Sequence, residues 1–443
     1  MIVNFYKKNK KFVADNFLII FNLLIGFIVS ILVPKIVIQN EGAEIYGIYA
    51  FILGFGGIFS FSDLGVQPGL IKTLASSLAK KDTLTVTIIL NKVFKLMMSV
   101  WLVMMLTSIF VTFFSFKYIN SHSLLALILF GVASILTLLS DVMVSLLRTG
   151  GIVTYTYVLK IFYYLIYIFL VYGYYFFYSP DKSILPICFI QLIASLPFFF
   201  IIKKKLNSLF PANIPIALFG KNSSKTTESD NIWKESWQLS LPERYNRIIQ
   251  LTISFFERPL LLLYSGVLII TSYDLLMRLT LFISAIPSAL SQPLLAMLSY
   301  DHVRKKEERL YSGTSKYMNY LVVFLSFVGF LIALVCWKFF HEKLFSVHSE
   351  LPLWFAILYF SANSLNVMTA PLVSQFIIAG NTRVLKHKAI IESMGLITGV
   401  LLTIYTANGL VFLIARNAFL IVAAAYFLVQ YRIGKINEVL AFN

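Results

Sequence analysis

The sequence is poor in charged residues. They make up 13% of its 443 positions, whereas hydrophobic residues make up 59%. Soluble domains carry about 25% charged residues, and a soluble fold of this length cannot hide so much apolar surface. The mean hydropathy of +0.83 points the same way. The composition therefore excludes a soluble protein and indicates a multi-pass membrane protein.

Residues suited to metal, redox or nucleotide chemistry are scarce and lack the spacing that such sites need. The two cysteines, Cys188 and Cys336, lie in apolar runs and match no metal or disulfide pattern. No GxxxxGK[ST] phosphate-binding loop is present, which argues against ATP hydrolysis. The segment HEKLFSVHSE at 341–350 does not have the spacing of a helical zinc site. We predict no catalytic residue, no metal and no cofactor, and coupling to a proton or sodium gradient stays open.

Long apolar runs dominate what is present. A membrane helix needs about 20 mostly apolar residues. Twelve segments meet this requirement, namely 12–34, 45–66, 84–114, 122–146, 152–177, 183–202, 236–264, 271–298, 316–338, 352–377, 388–406 and 409–430. The first exceeds twenty residues and no small-x-small cleavage site follows it, so we interpret it as a membrane helix rather than a signal peptide.

A polar stretch divides the twelve segments into six and six. We predict an N-terminal six-helix lobe at 1–202, a cytoplasmic linker at 203–235 and a C-terminal six-helix lobe at 236–443. Equal halves are typical of internally duplicated transporters. The predicted fold class is all-α integral membrane, with about twelve transmembrane helices in two lobes around a central cavity.

The Lys and Arg residues of the loops predict the orientation. Of the 37 in the chain, 24 fall in loops on one side and five on the other, alternating loop by loop. Because cytoplasmic loops carry the positive excess, both termini are predicted to be cytoplasmic. The net charge of +17 then reflects this bias and attraction to anionic membrane lipids, not nucleic acid binding.

The seventh segment carries ionic residues that a membrane helix usually excludes. Arg244, Arg247, Leu251, Ser254 and Arg258 follow one another at intervals of three and four residues, so a helix places them on one face. Intramembrane charges usually face a bundle interior or an aqueous cavity. An alternative is that Arg244 and Arg247 extend to the cytoplasmic interface.

Four further charges lie near the other end of segments seven and eight. Asp274 and Arg278 are one helical turn apart, and Glu257 and Arg258 are adjacent. Two interpretations stay open for the latter two residues: a local pair near the outer interface, or part of a gate network with Asp274 and Arg278.

The remaining intramembrane charges are scattered. Lys160 lies about eight residues into segment five, and Arg416 lies seven residues past the TANG turn without an acidic neighbour in sequence. Asp63 and Asp141 lie near cytoplasmic ends, where interfacial placement competes with a role in a gate or in ion coupling. Cations outnumber anions overall, and arginine offers planar donors suited to phosphate. The pattern indicates a route for an anionic substrate.

Three stretches resemble the polysaccharide flippases of the O-antigen type, in the multidrug, oligosaccharidyl-lipid and polysaccharide exporter superfamily. They are EIYGIYAFILGFGGIFSFSDLGVQPGLIKTLAS (44–76), SQPLLAMLSYD (291–301) and PLVSQFIIAGNTR (371–383). The first is similar to the Gly-Tyr-Gly opening and Asp-Leu-Gly close of the family's second helix. The second lacks the family's frequent Pro before the final Ser.

The resemblance implies a flippase that moves undecaprenyl-pyrophosphate-linked oligosaccharide to the outer leaflet of the bacterial cytoplasmic membrane by alternating access. It implies that Arg244, Arg247 and Lys160 engage the pyrophosphate, that Arg258 and Arg278 form the outer gate with Glu257 and Asp274, and that glycan polymerase and assembly proteins are partners. Two alternatives remain: a multidrug or small-molecule exporter of the same superfamily, and a membrane glycan polymerase or ligase.

Overall fold

A computed structural model describes most of the chain. The described residues are 10–60, 83–114, 121–149, 153–178, 183–209, 233–234, 241–284, 287, 308–345, 347–378 and 382–441. All regular structure in these ranges is helical. Asp63 lies outside the described residues. Arg244 and Arg247 lie on a described helix, but their side chains are outside the described part.

The described residues of the first half of the chain form six long helices. They are α1 (Lys10–Glu41), α2 (Ala43–Ser60), α3 (Thr83–Phe114), α4 (Ser121–Thr149), α5 (Val153–Phe177) and α6 (Leu185–Leu209). Helix α4 packs against α6, and α1 packs against α5. Buried apolar side chains of α3, α4 and α6, such as Phe94, Met143 and Phe198, form one core cluster.

The described residues of the second half form six more helices of 13 residues or longer. They are α7 (Leu241–Ser265), α8 (Val267–Leu279), α9 (Glu308–Val335), α10 (Leu353–Ile378), α11 (Thr382–Thr406) and α12 (Gly409–Ala441). Helix α9 continues through a π-helical turn, Cys336–Phe340, into a short helix, His341–Phe345. Helix α12 packs against α11 and α10.

Within the described residues, each of the twelve predicted segments overlaps one of these twelve helices. Among the described residues, nine helices are long and apolar enough to cross a membrane, and α2 adds a shorter apolar helix, Ala43–Phe55. The nine are α1, α3, α4, α5, α6, α8 with its continuation to Ser284, α9, α11 and α12. The prediction of an all-α, multi-pass membrane protein is confirmed.

Three helices begin four or more residues before the apolar segments predicted for them, and α9 differs most, since it begins at Glu308 rather than at 316. Helix α8 begins at Val267, four residues before the predicted start, because the single residue Gly266 makes the turn after α7. Helix α11 begins at Thr382 rather than at 388. Hydropathy averages place the apolar middle of a helix well, but they miss polar residues that continue it.

The chain divides into two compact units, Met1–Phe255 and Phe256–Asn443. The predicted lobe and linker boundaries at 202, 203–235 and 236 remain a prediction.

Each half begins with two helices that are joined by one glycine. Gly42 links α1 to α2 with a φ of 92°, and Gly266 links α7 to α8 with a φ of 88°. Residues with a side chain rarely adopt such angles, so glycine is the residue that makes a one-residue turn possible. We call these two structures the first and second glycine hairpins. Their occurrence at the start of both halves supports the predicted internal duplication.

Candidate functional site

The second glycine hairpin places charged residues of α7 and α8 opposite one another. Arg258 precedes Gly266 by eight residues, and Asp274 follows it by eight. At 1.5 Å per residue, both lie about 12 Å along their helices from the turn. Glu257 and Tyr273 are the neighbouring residues at the same level. The one-residue link thus sets the pairing, because antiparallel helices joined this tightly bring equidistant residues together.

Asp274 holds two guanidinium groups. Its Oδ1 accepts a hydrogen bond from Arg258 Nη2 at 2.8 Å, and its Oδ2 accepts one from Arg278 Nε at 2.8 Å. Asp274 is only 4% exposed and Arg258 only 8%. The predicted proximity of Asp274 and Arg278 is confirmed, and Arg258 pairs with Asp274 across the hairpin. Taking these three charges out of water costs several kcal/mol per ion, which the paired geometry offsets.

A second group forms on the adjacent residues. Arg416 Nη1 of α12 donates to Glu257 Oε2 at 2.8 Å and to the Tyr273 hydroxyl oxygen at 2.9 Å. The Tyr273 hydroxyl in turn donates to Glu257 Oε1. Arg416, which has no acidic neighbour in sequence, therefore finds its carboxylate on α7. The Tyr273 ring packs edge-on against Tyr359 of α10, 5.6 Å between centroids, so three other helices surround Glu257.

A close backbone approach aligns α12 with the hairpin. Gly409, the first residue of α12, donates its N–H to Ser265 Oγ at 3.0 Å. A Cβ on Gly409 would lie 2.9 Å from the Leu260 carbonyl oxygen, so a side chain would push the two elements apart. Arg416 follows seven residues later, about 10 Å along α12, at the depth of Glu257.

The two groups together are a cluster with excess positive charge, which we call the buried ionic network: Glu257, Arg258, Tyr273, Asp274, Arg278 and Arg416. It holds three guanidinium groups and two carboxylates, each group near-buried. Arg258 Nη1 is buried and has no hydrogen-bond partner among the described residues. Buried donors are usually satisfied, so this one marks a place where an acceptor would be stabilised.

The charges of the first half are arranged differently. Lys160 of α5 pairs with Asp141 of α4, with Lys160 Nζ 2.6 Å from Asp141 Oδ1. The two side chains are 23% and 40% exposed. The pair is balanced and partly solvated, unlike the charges of the buried ionic network.

A further polar cluster in the second half was missed by the sequence analysis. Lys388 Nζ of α11 donates to Asn366 Oδ1 of α10 at 2.9 Å and lies 3.7 Å from Glu392 Oε1. The four-residue spacing of Lys388 and Glu392 was the available signal. Tyr273 was also missed, and here no signal existed, because one tyrosine among 24 carries no mark of its partner.

No protein-family model matches the chain, and no curated protein matches its sequence. Solved structures do match in fold. An inward-facing multidrug resistance MATE family transporter of the MOP superfamily aligns with a TM-score of 0.67 and 14% identity, over 93% of this chain and 96% of that one.

Two further solved structures extend the likeness. The lipid II flippase MurJ in an inward closed conformation aligns with a TM-score of 0.60 and 13% identity, over 95% of this chain and 87% of that one. The MATE multidrug transporter DinF-BH aligns with a TM-score of 0.59 and 12% identity, over 95% of this chain and 94% of that one. This chain therefore has the fold of MOP-superfamily transporters along nearly its whole length.

Proposed function

We propose that this protein is a flippase that moves a polyprenyl-pyrophosphate-linked oligosaccharide from the cytoplasmic to the outer leaflet of the bacterial cytoplasmic membrane. The observation that carries the proposal is the excess of guanidinium over carboxylate in the buried ionic network. Arginine binds phosphate oxygens through paired, permanently charged donors. The fold supports the proposal, because one solved structure with this fold is a lipid II flippase.

In this proposal the arginines of the network exchange one anionic partner, the Asp274 carboxylate, for another, the pyrophosphate of the substrate. Asp274 holds Arg258 and Arg278 in the structure, and a pyrophosphate that enters the site competes with Asp274 for them. A proton or sodium ion on Asp274 or Glu257 would weaken their hold on the arginines and would couple an ion gradient to the exchange. Arg244, Arg247 and Lys160 receive the pyrophosphate earlier on its route, and Lys160 first separates from Asp141. Asp63 and Asp141 belong to the gate on that side.

Alternating access supplies the movement in this proposal. Solved structures with this fold include both an inward-facing and an outward-facing conformation of a MATE family transporter. Such a transporter opens to one side of the membrane while it is closed to the other. The ion pairs that close a side must therefore break and form again in each cycle, and the buried ion pairs of the network are suited to that task.

Multidrug export is the second candidate. Several solved structures with this fold are named multidrug transporters. The observation in its favour is the pair of buried carboxylates, Glu257 and Asp274, which would attract a cationic substrate once their arginines moved away. The count of charges favours the flippase, because the described network has one more cation than anion.

The test is to analyse lipid-linked oligosaccharide in cells that lack the gene, with leaflet exposure measured by an external glycosidase or lectin. The flippase proposal predicts intact polyprenyl-linked units that are protected from the external probe. Units that are exposed but not polymerised would indicate a glycan polymerase or ligase instead. Unchanged glycan lipids, together with sensitivity to cationic drugs, would indicate multidrug export.

A matched pair of variants ties the result to the network. Arg258→Lys keeps the positive charge but loses the planar pair of donors, so it is expected to restore export poorly in deleted cells. Arg383→Lys changes an exposed arginine at the start of α11 and is expected to restore export fully. Equal export by the two variants at equal protein amounts would remove Arg258 from the proposed route.

A further inference from the structure

The end of α9 brings three side chains with metal-ligating atoms together. His341 and Glu342 open the short helix that follows the π-helical turn, and His348 lies in the segment after it. One potential ligand atom from each residue lies within 4.8 Å of the other two. The sequence analysis predicted no metal site here, because the spacing of these residues does not fit a zinc site on a single helix. The structure forms the group from a helix and a loop.

His341 has the hydrogen bond that metal-ligating histidines usually have. Its Nδ1 bonds the backbone carbonyl oxygen of Trp337. A carbonyl oxygen only accepts hydrogen bonds, so Nδ1 carries the proton and Nε2 has a free lone pair. Metal-ligating histidines commonly donate their other ring N–H to a backbone carbonyl, which fixes the ring.

The lone pair of His341 is turned toward the other two residues. His341 Nε2 is buried, has no hydrogen-bond partner among the described residues, and lies 4.0 Å from Glu342 Oε1. Glu342 Oε1 lies 2.6 Å from His348 Nδ1. Ligands of a tetrahedral zinc ion, bound at about 2.0–2.2 Å, lie about 3.4 Å from one another. The observed separations bracket that value, so small side-chain rotations bring all three onto one ion.

We propose that His341, Glu342 and His348 form a binding site for a divalent transition-metal ion, of which Zn²⁺ suits the ligands best. Two imidazoles and one carboxylate are a common ligand set for zinc, with the remaining position open to water. Hard ions such as Mg²⁺ and Ca²⁺ prefer oxygen ligands and fit the group poorly. Lys338 and Lys343, which lie close to the site in sequence, are two of the five Lys and Arg residues in loops on the side predicted to be external, so metal ions of the surroundings would reach the site.

The bound ion would tie the end of α9 to the segment beside α8. Glu350, two residues after His348, donates its backbone N–H to Ser272 Oγ of α8 at 3.0 Å. Ser272 directly precedes Tyr273 and Asp274 of the buried ionic network. A metal at the three side chains thus fixes a segment that already docks on the second glycine hairpin.

The test is calorimetric titration of the full-length protein with ZnCl₂ in detergent, after removal of any histidine tag. The proposal predicts one bound Zn²⁺ per chain. Loss of an outer-shell partner lowers metal affinity by about 10–100-fold, so loss of a ligand in His348→Ala or Glu342→Gln should lower it by about 100-fold or more. Both side chains are exposed, 83% and 59%, so neither substitution disturbs packing.

A matched control separates this site from general surface binding. His122→Ala removes another exposed histidine of the described chain and should leave the zinc affinity unchanged. A second readout uses Trp337, whose ring stacks on His341 with 5.2 Å between centroids. Cu²⁺ should quench its fluorescence in the unchanged protein and not in His348→Ala. Equal Zn²⁺ affinity of the unchanged protein and both ligand variants, or no binding at all, would overturn the proposal.

Discussion

The first and second glycine hairpins share a geometry and differ in what they bury. Counted from the linking glycine, the positions of Glu257 and Arg258 correspond to Val33 and Pro34 in the first hairpin, and Asp274 corresponds to Ala50. All three residues of the first hairpin are buried. Tyrosine occupies the position seven residues after the glycine in both, as Tyr49 and Tyr273, and both are buried.

The difference shows that this level of the hairpin can be packed without charges. Val33 and Ala50 of the first hairpin occupy the positions of Glu257 and Asp274 in the second hairpin, where Asp274 binds two arginines. Replacement of a buried ion pair by apolar residues of similar size is often neutral or stabilising. Packing at this level therefore does not require the charges of the second hairpin, and the proposed transport of an anion would account for them.

Removal of one charge from the network should have the largest effect on stability. Asp274→Ala leaves Arg258 and Arg278 buried without their carboxylate, and breaking a buried pair in this way costs about 3–5 kcal/mol in the free energy of unfolding. The loss would appear as a lower unfolding temperature in detergent.

The control is Asp141→Ala, which breaks the more exposed pair with Lys160. Exposed ion pairs contribute at most about 1 kcal/mol, so its unfolding temperature should stay near that of the unchanged protein. Similar decreases in unfolding temperature for Asp274→Ala and Asp141→Ala would contradict the view that the two ion-pair groups differ because one is more deeply buried.

Tyr49 and Tyr273 allow the two hairpins to be compared through the loss of a single hydroxyl group. Tyr273→Phe removes a hydroxyl that bonds two charged groups, and hydrogen bonds to charged groups contribute about 1.5–3 kcal/mol. Tyr49→Phe removes a hydroxyl that lies 3.0 Å from the Tyr167 hydroxyl, and such neutral bonds contribute about 0.5–1.5 kcal/mol. Unfolding of the two variants in one detergent measures the difference, and a larger loss for Tyr49→Phe would contradict it.

The two linking glycines should respond alike. Neither position has any atom within 4 Å of an added Cβ, so Gly42→Ala and Gly266→Ala introduce backbone strain without a clash. A strained backbone of this kind costs about 1–3 kcal/mol. We expect similar drops in unfolding temperature for both variants. A clear drop in only one half would contradict the equivalence of the two turns.

The helices were largely predictable from the sequence because a bilayer requires long apolar runs. The turn at Gly266 was not, because hydropathy does not distinguish a one-residue link from a short loop. The partner of Arg416 was out of reach for another reason: Glu257 lies 159 residues away, and no local spacing records such a contact. By contrast, Asp274 and Arg278 were predictable, since their contact lies within one helical turn.

A triple variant separates a role of the ionic network in transport from a role in packing. Arg258→Met, Asp274→Leu and Arg278→Met together replace the charges of the Asp274 group by apolar side chains and leave the Glu257–Arg416 pair in place. Leaflet exposure of lipid-linked oligosaccharide would be measured in deleted cells that produce this variant, together with its unfolding temperature. We expect a stable protein, with unfolding free energy unchanged or raised by about 1–4 kcal/mol, and no oligosaccharide exposed outside. Normal exposure from the stable variant would contradict a role of the network in transport.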